Sequence, residues 1–323
     1  MKMCIVGAGA IGGYIGAKLI QADEDVTLIA RGANLEAIKQ HGLILETAEG
    51  TREIAIPSLA TNAMAEAGPQ DVVIVAVKAQ SLPAIVPAMR ALYGPDTMVV
   101  TAQNGIPWWY FHKHGGSYEG RRIETVDPSG IIEANIEIER VIGCVVYPAA
   151  ELVEPGVVHH IEGNRLSLGE LDGAKTERVQ HLVQIFNRAG IKAPIRSRIR
   201  NEIWIKLWGN LAFNPISALT RATLDKICYD PLTRDLARAM MAEAQAIAEK
   251  LGIEFSISIE QRIEGAEQIG AHKTSMLQDI ETGRTTEVDA LVGAVAELGR
   301  LTKTPTPHID AIYACVKLLE RKV

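Results

Sequence analysis

The sequence predicts an α/β protein in two parts: a doubly wound, mostly parallel sheet domain over residues 1–197 and an all-α domain over 198–323. Three observations carry this expectation. A short apolar run opens the chain and leads through a glycine-rich turn into a helical stretch. Further apolar runs then alternate with helical stretches to about residue 102. Beyond Ser197 the strand signal fades while helical patterning continues to residue 300.

Met3 to Val6 reads as a buried strand, followed by Gly7-Ala8-Gly9-Ala10-Ile11-Gly12 and a helix to about Gln21. This is GxGxxG between a first strand and the helix it feeds. Gly7 permits the tight turn, Gly9 lets backbone approach a pyrophosphate, and Gly12 allows close helix-to-strand packing. The helix N-terminus, with Ala10 and Ile11 in its first turn, then faces the phosphates. The setting predicts a Rossmann-type domain that binds a nicotinamide dinucleotide; a glycine-rich turn without ligand is the plainer alternative. Asp25 to Ala30 is the second strand, whose end selects the cofactor. An NAD-binding chain places a carboxylate there for the ribose hydroxyls, whereas this one has Arg31 and then Gly32. A guanidinium suits a 2′-phosphate, which favours NADPH, although an arginine in a surface loop is also ordinary.

Residues 33 to 41 read as a helix and 43 to 57 as a hairpin-like excursion. Asp71 to Val77 has the continuous apolar character of a strand covered on both faces, with Lys78 at its carboxyl end. A crossover helix over 80 to 93, started or broken at Pro83 and Pro87, leads to a strand from Met98 to Ala102 that ends at Gln103-Asn104-Gly105. Arg31, Lys78 and Asn104 thus fall at the carboxyl ends of three strands, the edge where open parallel sheets bind ligands. From Val141 to Gly169 the pattern predicts antiparallel strands finishing the same sheet. A helix from Lys175 to Ala189, a short strand from Ile191 to Ile195 and a domain boundary near Ser197 follow. The helices expected after it cover 198–214, 217–228, 231–251, 257–280 and 285–300.

The first of these, Arg198 to Pro215, holds Lys206, Asn210 and Asn214 four residues apart. Each step of four advances only about 40° around a helix, so the three form a nearly straight polar row. Trp204, Ile205, Leu207, Trp208, Leu211, Ala212 and Phe213 occupy the other directions, which predicts a buried helix ended by Pro215. Such a row requires polar partners from the protein, from water or from a substrate. A solvent-facing lysine and an Asn-Pro helix stop are the plainer reading.

Composition narrows the function. A 323-residue chain with 47% hydrophobic and 22% charged residues is globular, and a net charge of −6 without a long basic run argues against nucleic acid or anionic membrane as partner. Cys4, Cys144, Cys228 and Cys315 are scattered, with neither a CxxC pair nor a His spacing for a metal, so reduced thiols in a cytoplasmic protein are expected and no metal site is. The apolar N-terminus, with five glycines in ten residues and Lys18 inside the run, fits strand, turn and helix better than a signal peptide or membrane span. A homodimer is compatible with all of this.

Over nearly its full length the chain resembles the ketopantoate reductase (2-dehydropantoate 2-reductase) family. The resemblance rests on GAGAIG at 7–12, Arg31, VKA at 77–79, QNG at 103–105, EIWIKLWGNLAFNP at 202–215 and SMLQDIETGRTTEVD at 275–289, the last two being the specific motifs. It implies an NADPH-dependent reductase of a 2-keto acid, with ketopantoate as the expected substrate. Lys206 is the implied general acid, and Asn210 and Asn214 hold substrate or lysine. Glu287 bonds the substrate hydroxyl, Ser275 its carboxylate, Asn104 lies near nicotinamide and substrate, and Lys78 lies beside the cofactor. Independently of the resemblance, Thr286-Glu287-Val288-Asp289 reads as a helix start capped by Thr286, where Glu287 could equally be a carboxylate complementing the helix dipole.

One stretch departs from the family pattern. Trp108-Trp109-Tyr110-Phe111 follows Asn104 closely, and it reads equally as a buried anchor or as a substrate wall, with at least one ring expected to border the pocket. Two rival functions therefore stay open: the same chemistry on a different, bulkier 2-keto acid, and an NADPH-binding regulatory protein without turnover.

Overall fold

The structure, a computed structural model, describes residues 1–321. It falls into two compact units. The first comprises Met1–Gln103, Phe111–Arg121 and Gly130–Ile199, and the second Asn104–Tyr110, Arg122–Ser129 and the chain from Arg200 onward. Asn104 to Tyr110, although it follows a sheet strand in sequence, thus belongs to the helical unit.

The first unit contains β1 (Lys2–Val6), α1 (Ala10–Gln21), β2 (Asp25–Ile29), α2 (Gly32–His41), β3 (Leu43–Glu46), β4 (Arg52–Ala55), β5 (Leu59–Thr61), α3 (Met64–Ala67), β6 (Gln70–Val75), α4 (Leu82–Met89) and β7 (Tyr93–Thr101). Later segments add β8 (Val141–Val146), β9 (Ala149–Glu154), β10 (Val157–Glu162), β11 (Leu166–Gly169) and α5 (Glu177–Arg188). A seven-stranded sheet runs in the order β11-β8-β7-β6-β1-β2-β5, all pairs parallel except β11 with β8. This is the doubly wound arrangement expected, and the inner stretches of its strands β1 and β6 are apolar because both faces are covered: Met3 to Val6 and Val72 to Val75 are fully buried.

The segments after residue 140 divide differently from expectation. β8 extends the main sheet in parallel and β11 antiparallel, but β9 and β10 leave it and join β3 and β4 in a separate four-stranded sheet of order β4-β3-β10-β9. Helix α1 packs into the core with both sheets. A Cβ on Gly16 would come within 2.8 Å of Leu28 in the main sheet, and one on Gly13 within 2.6 Å of Val158 in the small one. A second buried face on α1 has no signature in strand patterning. The strand expected over Ile191 to Ile195 is reduced to isolated bridges, Arg165 with Lys192 and Leu168 with Ile195.

The second unit is helical: α6 (Ile199–Thr220), α7 (Leu224–Tyr229), α8 (Pro231–Lys250), α9 (Ile259–Gln268), α10 (Ser275–Glu281), a π-helical turn (Asp289–Gly293), α11 (Ala294–Leu301) and α12 (Pro307–Glu320). Pro215 does not end α6, which continues to Thr220. An interior proline costs about 3 kcal/mol through the lost N–H and its crowding of the carbonyl four residues back. Phe213, Ile216 and Ala218 are buried around it, and fully burying a large apolar side chain contributes about 1.5–3 kcal/mol, so packing outweighs the local penalty. The helix expected over 217–228 is consequently shortened to α7. That expected over 257–280 splits near Gly270, which adopts φ 81°, and α10 restarts with Thr274 accepting the Leu277 N–H. The helix expected over 285–300 begins with the π-turn, and α12 lies beyond the last helix expected.

Candidate active site

The glycine turn of the first unit is shaped by backbone contacts. Gly7 has φ 101°, and the N–H groups of Gly7 and Ala8 both donate to Ile29 O at 3.1 and 3.0 Å, fastening the turn to the end of β2. A Cβ on Gly12 would lie 2.0 Å from Gly7 O, so only glycine fits there, whereas one on Gly9 would meet nothing within 4 Å. The space over Gly9 is therefore open. Gly9 caps α1 without a side-chain hydrogen bond, so the cap residue leaves the N–H groups of the first turn, at Ala10 and Ile11, uncovered. That combination fits a pyrophosphate.

Arg31 is exposed at the N-cap of α2, and the first turn of that helix contains no acidic residue. A cation beside a helix N-terminus is unfavourable with respect to the dipole, but helix end and guanidinium attract the same phosphate. Lys78 is half-buried after β6, in a loop held where Gln103 Nε2 donates to Val77 O at 2.8 Å. Asn34 also supports the turn: its Nδ2 donates to Ala8 O and its Oδ1 accepts the Gly156 N–H, both at 2.7 Å. Sequence reasoning missed Asn34 and Gln103, because a polar residue in a helix or after a strand carries no sign of a partner far along the chain.

In the second unit, three distant segments meet. Lys206 Nζ donates to Asn104 Oδ1 at 2.7 Å, and Asn104 Nδ2 donates to Glu287 Oε2 at 3.2 Å. The carboxamide thus stands between an ammonium and a carboxylate, accepting from one and donating to the other. All three residues are half-buried. Of the remaining polar row on α6, Asn210 is half-buried and Asn214 buried, with Asn214 Nδ2 3.5 Å from Ser275 Oγ at the exposed start of α10. Thr286 Oγ1 accepts the Val288 N–H at 3.2 Å, and Glu287 O accepts from Leu291 N, so Glu287 sits where the chain turns into the π-helical segment.

Asn104 is held from both sides. Ile106 N–H donates to Ala290 O at 2.9 Å, and a Cβ on Gly105, which has φ 88°, would lie 2.5 Å from that oxygen. The strap 104–110 therefore lies directly on the π-turn that follows Glu287. At its far end, Tyr110 O accepts from Arg200 Nε at 2.8 Å and Tyr110 Oη from Trp204 Nε1 at 2.7 Å, while the Arg200 guanidinium lies 5.7 Å from the Trp109 ring centre. Burial pushes the Tyr110 phenol well above its ordinary pKa, so it stays a neutral hydroxyl. Trp109, Tyr110 and Phe111 are fully buried and Trp108 nearly so, which is the packing of an anchor. Phe111 packs within the first unit, beside the rings of His114 and Tyr118.

Among the described residues no helix is long and apolar enough to cross a membrane. The four cysteines form no disulfide, three of them are buried, and burial pushes the Cys4 thiol up to about 12.

Comparison with known proteins places these features in a family. The family model "Ketopantoate reductase PanE/ApbA" matches residues 3–114, and "Ketopantoate reductase PanE/ApbA C terminal" matches 198–320. The 2-dehydropantoate 2-reductase of Mesorhizobium japonicum is 54% identical over 99% of this chain and 98% of its own, and that of Pyrococcus horikoshii 32% identical over the same shares. A crystal structure from Ralstonia solanacearum, provisionally called a ketopantoate reductase, superposes with a TM-score of 0.94 at 43% identity, covering 99% of this chain and 98% of the other. The chain belongs to the ketopantoate reductase family, with the Rossmann-like N-terminal and helical C-terminal parts of that fold.

Proposed function

We propose that the protein reduces 2-dehydropantoate to pantoate with NADPH, the first unit binding the cofactor and the second supplying acid and substrate contacts. The observation that carries this reading is the Lys206–Asn104–Glu287 chain, which aligns an ammonium and a carboxylate through one carboxamide. Gly7, Gly9, Ala10, Ile11 and Gly12 hold the pyrophosphate, Arg31 the 2′-phosphate, and Lys78 lies beside the cofactor. Bound NADPH supplies the hydride that the carbonyl carbon gains.

Negative charge then gathers on the carbonyl oxygen. The Lys206 ammonium stabilises it, donates its proton to complete the hydroxyl, and is reprotonated from water. A lysine suits the task because an alkylammonium, which ordinarily loses its proton only near pH ~10.4, is charged at neutral pH. Asn104 fixes the direction of the ammonium and of Glu287. The Glu287 carboxylate accepts a hydrogen bond from the substrate hydroxyl, Ser275 holds the substrate carboxylate, and Asn210 and Asn214 hold substrate or lysine. We also assign the protein to the cytoplasm, where four cysteines without a disulfide suit a reducing environment.

The test is NADPH oxidation against a panel of 2-keto acids of graded size. The highest kcat/KM is expected for 2-dehydropantoate. A higher value for a bulkier keto acid overturns the substrate, and no oxidation with any member overturns the enzyme reading.

A further inference from the structure

Glu287 lies between two residues that are gripped from a single helix. On one side, the Thr286 N–H and Oγ1–H both donate to Glu320 Oε1, at 2.8 and 2.6 Å. On the other, Asp289 accepts from Tyr313 Oη at 2.6 Å and from Lys317 Nζ at 3.0 Å. Lys317 also pairs with Glu320 at 3.4 Å, joining the two grips. Tyr313, Lys317 and Glu320 are four and then three residues apart, so they share one face of α12. The Tyr313 ring comes so close to the π-turn that a Cβ on Gly293 would lie 2.9 Å from its Cζ.

We propose that this face of α12 is a positioning device for Glu287. The proposal rests on reading Glu287 as the ligand of the substrate hydroxyl. Glu287 stands at a bend, not in the middle of a helix, so its direction depends on how its neighbours are fixed. Thr286 is buried and gives both hydrogen bonds to one carboxylate, which holds peptide and side chain together. The Lys317 ion pairs are more than one-third exposed on the lysine side, and such pairs stabilise a fold little. Orientation explains their placement better, because small misplacements of a substrate contact lower rates strongly.

The test compares Glu320→Ala and Glu320→Gln in the full chain, each with Glu287 intact and in a Glu287→Ala background. KM for the keto acid, kcat, NADPH affinity and Tm are read for every variant. Glu320→Ala is expected to raise KM roughly 5- to 30-fold, less than the full worth of hydrogen bonds to a charged group because only the positioning of Glu287 is lost, with NADPH affinity unchanged. Glu320→Gln keeps an acceptor for Thr286 and recovers most of the loss. In the Glu287→Ala background the Glu320→Ala effect vanishes, since the device then has nothing to position. An effect of equal size with and without Glu287, or one that follows Tm alone, overturns the proposal. If Glu287→Ala raises KM but Glu320→Ala does not, the positioning role fails while the functional reading stands; if Glu287→Ala leaves KM unchanged, the functional reading fails and the proposal with it. Should Glu320→Ala not fold, Tyr313→Phe removes one of the two bonds of the other grip, the Lys317 bond to Asp289 remaining, and is judged by the same outcomes with a smaller expected rise in KM.

Discussion

The glycine turn of the first unit and the Lys206–Asn104–Glu287 chain of the second are both small, yet they are specified in opposite ways. The turn is backbone chemistry written in six consecutive residues: Gly12 is required because Gly7 O is 2.0 Å from where a Cβ would be. The second site is side-chain chemistry gathered across the chain, with Asn104 separated from Lys206 by 102 residues and from Glu287 by 183. A local site survives as long as its own turn forms. A gathered site depends on every element that brings its parts together, so it has more points at which a remote change can reach it.

The sharpest test of this contrast removes one member of the gathered site. Lys206→Ala is expected to lower kcat by about 10²- to 10⁴-fold, the usual worth of a general acid, while NADPH affinity stays near that of the unmodified protein. Cofactor binding measured by fluorescence titration and turnover measured by NADPH oxidation separate the two. Near-normal turnover in the variant returns the polar row of α6 to a structural role, and a parallel loss of NADPH affinity breaks the division of labour between the sites.

A smaller effect is expected at the edge of the local site. Arg31→Ala should weaken NADPH by roughly 10- to 100-fold and NADH far less, because charge-assisted hydrogen bonds contribute about 1.5–3 kcal/mol and only NADPH carries the 2′-phosphate. Equal use of NADPH and NADH by the unmodified protein would sink the assignment. Equal weakening of both cofactors by the substitution moves Arg31 from recognition to the general support of α2.

The same contrast governs what could be read from the sequence. The order of the first strands and helices, and the turn between β1 and α1, were legible because glycine spacing and apolar runs act locally. The Lys206, Asn210 and Asn214 row was legible as a helix face, and the family motifs supplied Asn104, Glu287 and Ser275 as candidates, but no spacing foretold that Asn104 would stand between Lys206 and Glu287. The unread features are the tertiary ones. β9 and β10 read from sequence as ordinary strands between turns, so nothing local directs β10 to β3 and both away from β8. Pro215 reads as a stop because its cost is local, whereas the burial that outweighs it is not. The strap 104–110 follows a sheet strand, yet its hydrogen bonds run to the π-turn and to α6.

The smallest effect expected belongs to that strap. The four aromatics of residues 108–111, three of them on the strap, read equally as anchor or substrate wall from sequence, and their burial favours the anchor. Tyr110→Phe keeps the ring and removes one oxygen, leaving the buried Trp204 Nε1–H without its 2.7 Å acceptor. An unsatisfied buried donor costs about 1–3 kcal/mol. A lower Tm and a lower denaturation midpoint are therefore expected, together with a modest and uniform fall in kcat/KM for every 2-keto acid accepted, because Asn104 lies on the same strap and Lys206 two residues beyond Trp204 on the same helix. The Arg200 bond to Tyr110 O and the Lys206 bond to Asn104 are untouched by the substitution, so the strap keeps these ties to α6 and the loss stays partial. If the rank order of keto acids changes instead, with Tm unaltered, the aromatic stretch is part of the substrate wall, and substrate selection reaches further along the chain than the polar row and Glu287.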